Sequence, residues 1–546
     1  MRKLLLALLC ISNFLFAQKN ISVQYELFEN KQLVPNRSIV VNADRMNCNI
    51  INSSTSEQFY IDYTNKVTIK SASYDGVKYA VYTPFDSLIA PVYNNELDTI
   101  LGYHCKKCTY TIFSNKYEVW YTSELGQNAC PAIAFAPPTG TVLKYVINGN
   151  RMVIAKAISK ADKIEAFNAS GVVNINEPKY VAAQIKSRYT TIQVFDKEQL
   201  NFDNALSKPE SFVSNTTYHL CNGNILLKKI TLPPNSSQGM YYIKLTDWSN
   251  GDAYDRVGSV FTIQADKETN LLTALQKGIQ ALPTFIDNQN EVYQGIVCTK
   301  NYAPCTELMR FFTPFGVGYF NNKRIIDGYT WSDSVVYKQE VTSLIPSNQK
   351  EIWIGVYIGN YDKGGHKVSL ELDFYPEPDM DTIHKFIAPL FNTVNIMEAC
   401  GQNYGRLFEH DTLEFDVDIT DSLHDVQLLF TTTGHGGWGG GDEFNPRLNT
   451  ILIDNKQVFE ITPWRTDCGT YRLSNPSSGN FPDGLSSSDF SRSNWCPGTL
   501  TPPFMIPLNN LNIGTHHFKL IIKQGKSEGG GFNHWCTSGV LVGLKN

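Results

Sequence analysis

The 546-residue sequence contains no HExxH and no Walker phosphate loop. Zinc-protease and nucleotide chemistries therefore lack their usual signatures. It has no basic excess either, since 47 Lys and Arg face 52 Asp and Glu for a net charge of −5. Without surplus cations to release counterions, nucleic acid is excluded as a partner class. No stretch after the N-terminal segment reaches the roughly 18 apolar residues of a spanning helix, so no stable membrane insertion is expected. Leu-rich helical periodicity is scarce and no internal repeat recurs at a fixed period. Apolar residues at 42% against 18% charged are ordinary globular usage, which rules out disorder as the dominant state.

What is present is aromatic and strand-forming, with 28 Tyr and 30 Phe. Ile352, Ile354, Val356 and Ile358 alternate with Trp353, Gly355, Tyr357 and Gly359, and Val368 to Phe374 and Leu413 to Ile419 repeat that period of two. Many such runs separated by Gly, Pro and Asn turns predict an all-β chain of antiparallel sandwiches. The acids Glu414, Asp416 and Asp418 read as a solvated strand face in preference to a calcium site. Two helices are expected. One is a connector over Asn176 to Tyr189 with Pro178 near its start, and the other runs from Asp266 to Leu282 and stops before Pro283. Boundaries fall near residue 180 and near Pro376-Glu377-Pro378, within a length prior of roughly three to four domains.

Met1-Arg2-Lys3, the apolar run Leu4 to Phe16 and Ala17-Gln18 read as a secretory signal cleaved after Ala17, so the chain is expected to be periplasmic or secreted. Lipidation at Cys10 is disfavoured by the bulky Leu9 before it. Twelve cysteines minus Cys10 leave eleven, for which disulfides are the default in an exported protein, with at least one thiol free or paired between chains. His104-Cys105-x-x-Cys108 lacks the second Cys/His pair of a zinc site, and no metal is expected.

Three segments suit polar ligands. Gly251-Asp252-Ala253-Tyr254-Asp255-Arg256 leads into the strand Val257 to Ile263. An Arg beside an Asp holds the carboxylate ionised, yet both reach one site only if Asp255 sits at the loop edge, since strand neighbours point to opposite faces. Taken alone, a surface ion pair is the better reading. The second segment, Gly434 to Glu443, has six glycines in its first eight residues, which lets a backbone approach a ligand closely. His435 lies in it, Trp438 offers a flat face for a sugar and Glu443 a carboxylate, although a flexible loop tip fits as well. In the third, Ser491 to Gly498, Cys496 pins a loop that exposes Arg492 as a donor and Trp495 as a stacking plane. A buried structural Trp is the plainer alternative.

At these segments the sequence resembles the bacterial peptide-N-glycosidase F family. The match begins at Thr191-Ile192-Gln193-Val194-Phe195-Asp196-Lys197. It continues through Asp255-Arg256, Thr313-Pro314-Phe315, Tyr404-Gly405-Arg406, Asp442-Glu443-Phe444 and Trp495-Cys496-Pro497-Gly498. The resemblance implies two side-by-side antiparallel jelly rolls, over 190–378 and 390–546, with the site between them. It places Asp255 on the principal catalytic aspartate with Arg256 beside it, and Glu443 on the second acid. Arg492 and Trp495 fall on substrate-contacting positions, His435 and Trp438 in a Trp/His loop, and Cys496 on a disulfide half whose partner is Cys468. A third family acid falls on Tyr357, so that sugar contact is lost or supplied elsewhere. Two family disulfides around the Asp255 and Glu443 loops are missing, because neither loop contains cysteine. Asp266 to Cys305 looks like an insertion that caps the cleft and is stapled by Cys298 and Cys305.

Residues 18–180 include Ile100-Leu101-Gly102-Tyr103-His104-Cys105, Trp120-Tyr121-Thr122 and Pro137-Pro138-Thr139-Gly140. They resemble exported GLPGLI-type proteins of Bacteroidetes and the N-terminal bowl-like domain of longer family relatives. This region is expected to be a separate unit that shapes access. The implied activity is hydrolysis of the amide joining the innermost N-acetylglucosamine to asparagine. It would use no cofactor and act, as a monomer, on N-glycosylated proteins and glycopeptides. The alternatives are a non-catalytic glycan-binding protein on the same fold and an endo-glycosidase; retention of both acids favours the amidase.

Overall fold

The computed structural model describes residues 20–203, 209–377, 384–436, 441–509, 511–526 and 533–545; the expected signal segment and Trp438 lie outside them. The chain divides into two units between Arg188 and Tyr189. The first is built on one twelve-stranded sheet, antiparallel except at the edge strand Val172–Asn174, which runs parallel to Val77–Pro84. The helix Glu177–Lys186 is shorter than expected and is more than a connector. Asn176 caps it by accepting from Lys179 N at 3.1 Å, and the buried Tyr180 donates to Glu57 at 2.9 Å, tying the helix to its own sheet.

The disulfides expected in this unit are absent. Cys48, Cys105, Cys108 and Cys130 are buried free thiols of its core. Strand alternation turns His104 outward to Glu124 at 2.8 Å while Cys105 points inward, so the His-Cys pair does not converge. Burial pushes the Cys105 thiol up to about 11, which keeps it protonated and inert.

The second unit holds two jelly rolls. In the first, the sheet Thr190–Leu200, His366–Pro376, Gly239–Ser249 and Val335–Glu340 packs on a six-stranded sheet centred on Glu351–Ile358 and Val257–Ile263. In the second, Lys385–Asn392, His534–Lys545, Leu423–His435 and Phe504–Pro507 face Leu413–Ile419, Gly514–Ile522, Asn449–Ile453 and Lys456–Ile461. Its first strand starts at Lys385, five residues before the expected 390. Leu413–Ile419 buries its apolar set and exposes Glu414, Asp416 and Asp418, which pair across the strand with Lys519, His517 and Thr515. Glu351–Ile358 departs from a half-solvated alternation: it is buried on both faces because Trp353 and Tyr357 on the outer one pack with Leu271 and Leu275 of the insertion and with Val394, Ile396 and Met397.

The rolls share a seam. Leu500–Thr501, from the second roll's part of the chain, joins the first roll's sheet beside Thr306–Phe312. Arg310, wholly buried, forks onto Glu307 and also donates to Thr433 Oγ1 at 3.0 Å and to the Cys536 carbonyl at 2.9 Å. A buried ion pair with every partner met in this way makes the seam costly to shear. Among the described residues no helix is long and apolar enough to cross a membrane.

Candidate active site

The 250–256 loop leaves the strand Gly239–Ser249 and is organised by a residue the sequence reading passed over. Asp252 is 1% exposed and receives Arg256 as a fork, Nε to Oδ2 at 2.7 Å and Nη2 to Oδ1 at 3.1 Å. It also accepts from Tyr254 N at 3.1 Å. His366 sits between two acids, with Nδ1 3.1 Å from Asp247 and Nε2 3.7 Å from Asp252. Burial opposes a charge on His366, but Asp247 and Asp252 outweigh it and raise the imidazole to about 9. Burial alone would raise Asp252, yet His366 and Arg256 hold it at about 2. Arg256 is therefore the partner of Asp252 and not of Asp255. The adjacency of Asp255 and Arg256 misled because the loop, not strand geometry, sets their directions.

Asp255 does stand at the loop edge, and its partner comes from the other roll. Arg492 Nη2 lies 3.5 Å from Asp255 Oδ2 and Arg492 Nη1 contacts Glu443. Side-chain exposure is 15% for Asp255, 21% for Glu443 and 1% for Arg492. Two carboxylates 188 positions apart thus meet at one buried guanidinium. Burial raises Asp255 above the ordinary carboxylate range against the downward pull of Arg492. Within the described residues Asp255 Oδ2, which faces Arg492 Nη2, and Arg492 Nε are buried atoms that make no hydrogen bond.

The expectation of an exposed Arg492 is corrected, and of the two readings of Trp495 the buried structural one holds. Trp495 is 3% exposed, donates Nε1 to the Gly434 carbonyl at 3.0 Å and stacks on Phe312 with centroids 4.3 Å apart. The guanidinium of Arg492 lies 4.5 Å from the Trp495 ring and 4.8 Å from that of Phe444. The indole is thus a wall that positions the arginine. His435 packs on Phe312 and Trp495 at 5.5 and 5.2 Å and pairs with Thr433 at 2.9 Å; burial lowers its pKa and keeps the ring neutral. The expected Cys468–Cys496 disulfide is formed, just beyond Trp495.

Glu443 is held by its neighbour. Asp442 is fully buried and accepts from Arg447 at 2.6 Å, Trp535 Nε1 at 2.8 Å and Gly525 N at 3.0 Å. Ser493 N in turn donates to the Glu443 carbonyl at 3.0 Å, lacing the second and third segments together.

Tyr357 is fully buried, so its ring does not face a ligand. Its hydroxyl donates to Glu398 at 3.5 Å. The insertion contains an α-helix only over Leu271–Lys277, because Gly278 at φ 99° ends it, and a 3-10 turn follows over Ile279–Ala281. It bridges the rolls through Cys298 N to the Leu390 carbonyl at 2.8 Å and Asn288 N to Asp411 at 3.0 Å. Cys298 and Cys305 stay free thiols, and the second disulfide is instead Cys221–Cys400. Asp252, His366, Asp442 and Glu398 were missed. Asp252 had a signal in its place four residues before Arg256 and Asp442 in the matched run Asp442-Glu443-Phe444; His366 and Glu398 had none.

Fold and site together define an all-β protein whose polar chemistry sits where two jelly rolls meet, with acids from both rolls on one cation. Residues 191–374 match the family model described as peptide-N-glycosidase F, N terminal, and residues 403–542 match its C-terminal counterpart. Residues 23–180 match the N-glycanase peptide, N-terminal domain. Two solved structures of a protein named PNGF-II are each 38% identical. One has a TM-score of 0.86 over 97% of this chain and 100% of its own; the other has 0.83 over 96% and 98%. The comparison with curated protein sequences finds no match. The chain belongs to the peptide-N-glycosidase F family, a group of glycoamidase type.

Proposed function

We propose that the protein hydrolyses the glycosylamide bond between the innermost N-acetylglucosamine and asparagine of N-glycosylated proteins and glycopeptides. The observation that carries this is the meeting of Asp255 and Glu443 at Arg492. An amide carbonyl is a poor electrophile and its nitrogen a poor leaving group, so the site needs a base for water and a proton for the nitrogen. Asp255, raised by burial, takes a proton from water as the oxygen bonds to the carbonyl carbon. That proton then passes to the leaving nitrogen as the carbon–nitrogen bond breaks. The products are an aspartate in the peptide and a 1-amino-sugar that later loses ammonia in water. Glu443 orients the water or the substrate, and Arg492 fixes both carboxylates. Arg256, bound to Asp252, holds the loop that presents Asp255.

Incubation with a denatured N-glycoprotein followed by peptide mass spectrometry tests the reading. Aspartate in place of the glycosylated asparagine is the expected result. An intact glycopeptide indicates a binding protein, and one sugar left on asparagine indicates an endo-glycosidase; either result rejects the proposal.

A further inference from the structure

Asp255 precedes the strand Val257–Ile263, and register shows what shares its side of the sheet. Ser259 is paired with both Tyr357 and Arg310, and Val257 with Phe312. Directly paired residues project from one face, and Arg310 and Phe312 contact the second roll from it. Tyr357 therefore lies on the face that meets the second roll. Its side chain runs along the strand, for a Cβ at Gly359 would sit 2.8 Å from its hydroxyl. Gly359 N bonds the Val257 carbonyl at 3.0 Å, and Val257 is two residues from Asp255, or about 7 Å at the usual strand rise.

At that hydroxyl stands Glu398, 3.5 Å away. Tyr361, over whose ring Arg256 lies at 5.7 Å, is a second phenol near the same carboxylate, and burial together with the Glu398 charge raises its pKa. Glu398 is partly exposed, and the Tyr357 phenol takes up only one of a carboxylate's acceptor sites. Its loop is unusually well held for a segment with little regular structure. The Cys221–Cys400 disulfide ties it to the first roll, Asn222 donates to the Ala399 carbonyl at 3.1 Å, and the turn closes at Gly401 with φ 98°.

We infer that Glu398 is a substrate-binding residue of the glycoamidase site: it accepts hydrogen bonds from the hydroxyl or acetamido N–H groups of the glycan ring that lies beside Asp255. The inference rests on the amidase reading for its substrate. Its logic is that a partly exposed carboxylate at the Tyr357 hydroxyl, on the face of the sheet whose next strand leads back to Asp255, selects a ring with donors facing it. A charged acceptor of this kind typically changes affinity tenfold to about a hundredfold.

The test measures steady-state kinetics of Glu398→Gln on an N-glycopeptide. It also measures calorimetric binding of that glycopeptide to Asp255→Asn with and without Glu398→Gln. The expected result is a KM raised at least tenfold with kcat within about threefold, and a matching rise in Kd. A structural role alone would move the thermal midpoint and leave KM and Kd in place. KM and Kd within twofold of the parent, or a fall in kcat alone, would overturn the inference. If Glu398→Gln does not fold, Glu398→Asp keeps the charge one methylene further back and should still raise Kd, and an unchanged Kd counts against it. A wild-type chain that binds but does not cleave the glycopeptide rejects the amidase reading, while the Kd comparison still decides the role of Glu398.

Discussion

A carboxylate that takes a proton from water works best when its pKa lies toward the working pH. Burial moves Asp255 in that direction and Arg492 moves it back, so the acid limb of kcat/KM should lie above the range of a free aspartate and shift further upward in Arg492→Gln. A limb that stays put, or moves down, would show that another group titrates. Asp255→Asn should lower kcat by at least a hundredfold, the scale of a lost general base. The same shift bears on stability. A carboxyl raised on folding contributes stability below its unfolded pKa of about 3.9 that is lost as pH rises through the folded value. At neutral pH Asp255→Asn should then melt at or above the wild-type temperature, with Arg492 still paired to Glu443; a lower midpoint contradicts the assignment.

The 250–256 loop and the strand start at His366 act as one element. His366 goes from 6.5 unfolded to about 9 folded, so its contribution is complete below pH 6.5 and disappears as pH rises through 9. Asp252, lowered to about 2, contributes above its unfolded value and loses that contribution as pH falls toward 2. Urea unfolding at pH 6 and pH 9.5 should show a loss on the order of 3 kcal/mol from His366, and His366→Asn should flatten that difference. Equal slopes for variant and parent would mean that His366 is not charged in the fold. Sequence patterning reached the strands well, because Val368 to Phe374 and Leu413 to Ile419 bury alternate residues as read. It reached Asp255, Glu443 and Arg492 through segments matched in order, but it mistook the partner of Arg256 and left the burial of Trp495 as one of two readings. Both depend on contacts between distant segments: Asp252 with His366, and Trp495 with Phe312. Glu398 was illegible for the same reason, since nothing local marks an acid whose loop is tied across 179 positions by a disulfide.

Over the whole molecule, the two units carry separate cores, and both disulfides among the described residues belong to residues 189–546. Calorimetry should therefore resolve two transitions, of which reductant lowers only one. On the chain-entropy model Cys221–Cys400 contributes about 5 kcal/mol and Cys468–Cys496 about 3 to 4 kcal/mol; a single transition indifferent to reductant would argue against this division. The central claim is that the chain cleaves an amide with Asp255 as the base. Its most direct test is turnover of an N-glycopeptide in heavy-oxygen water, followed by mass spectrometry of both products. The account predicts one heavy oxygen in the new aspartate carboxylate, none from the cleavage step in the sugar amine, and no turnover by Asp255→Asn. Heavy oxygen at the sugar carbon with asparagine retained, or full turnover by Asp255→Asn, would contradict it.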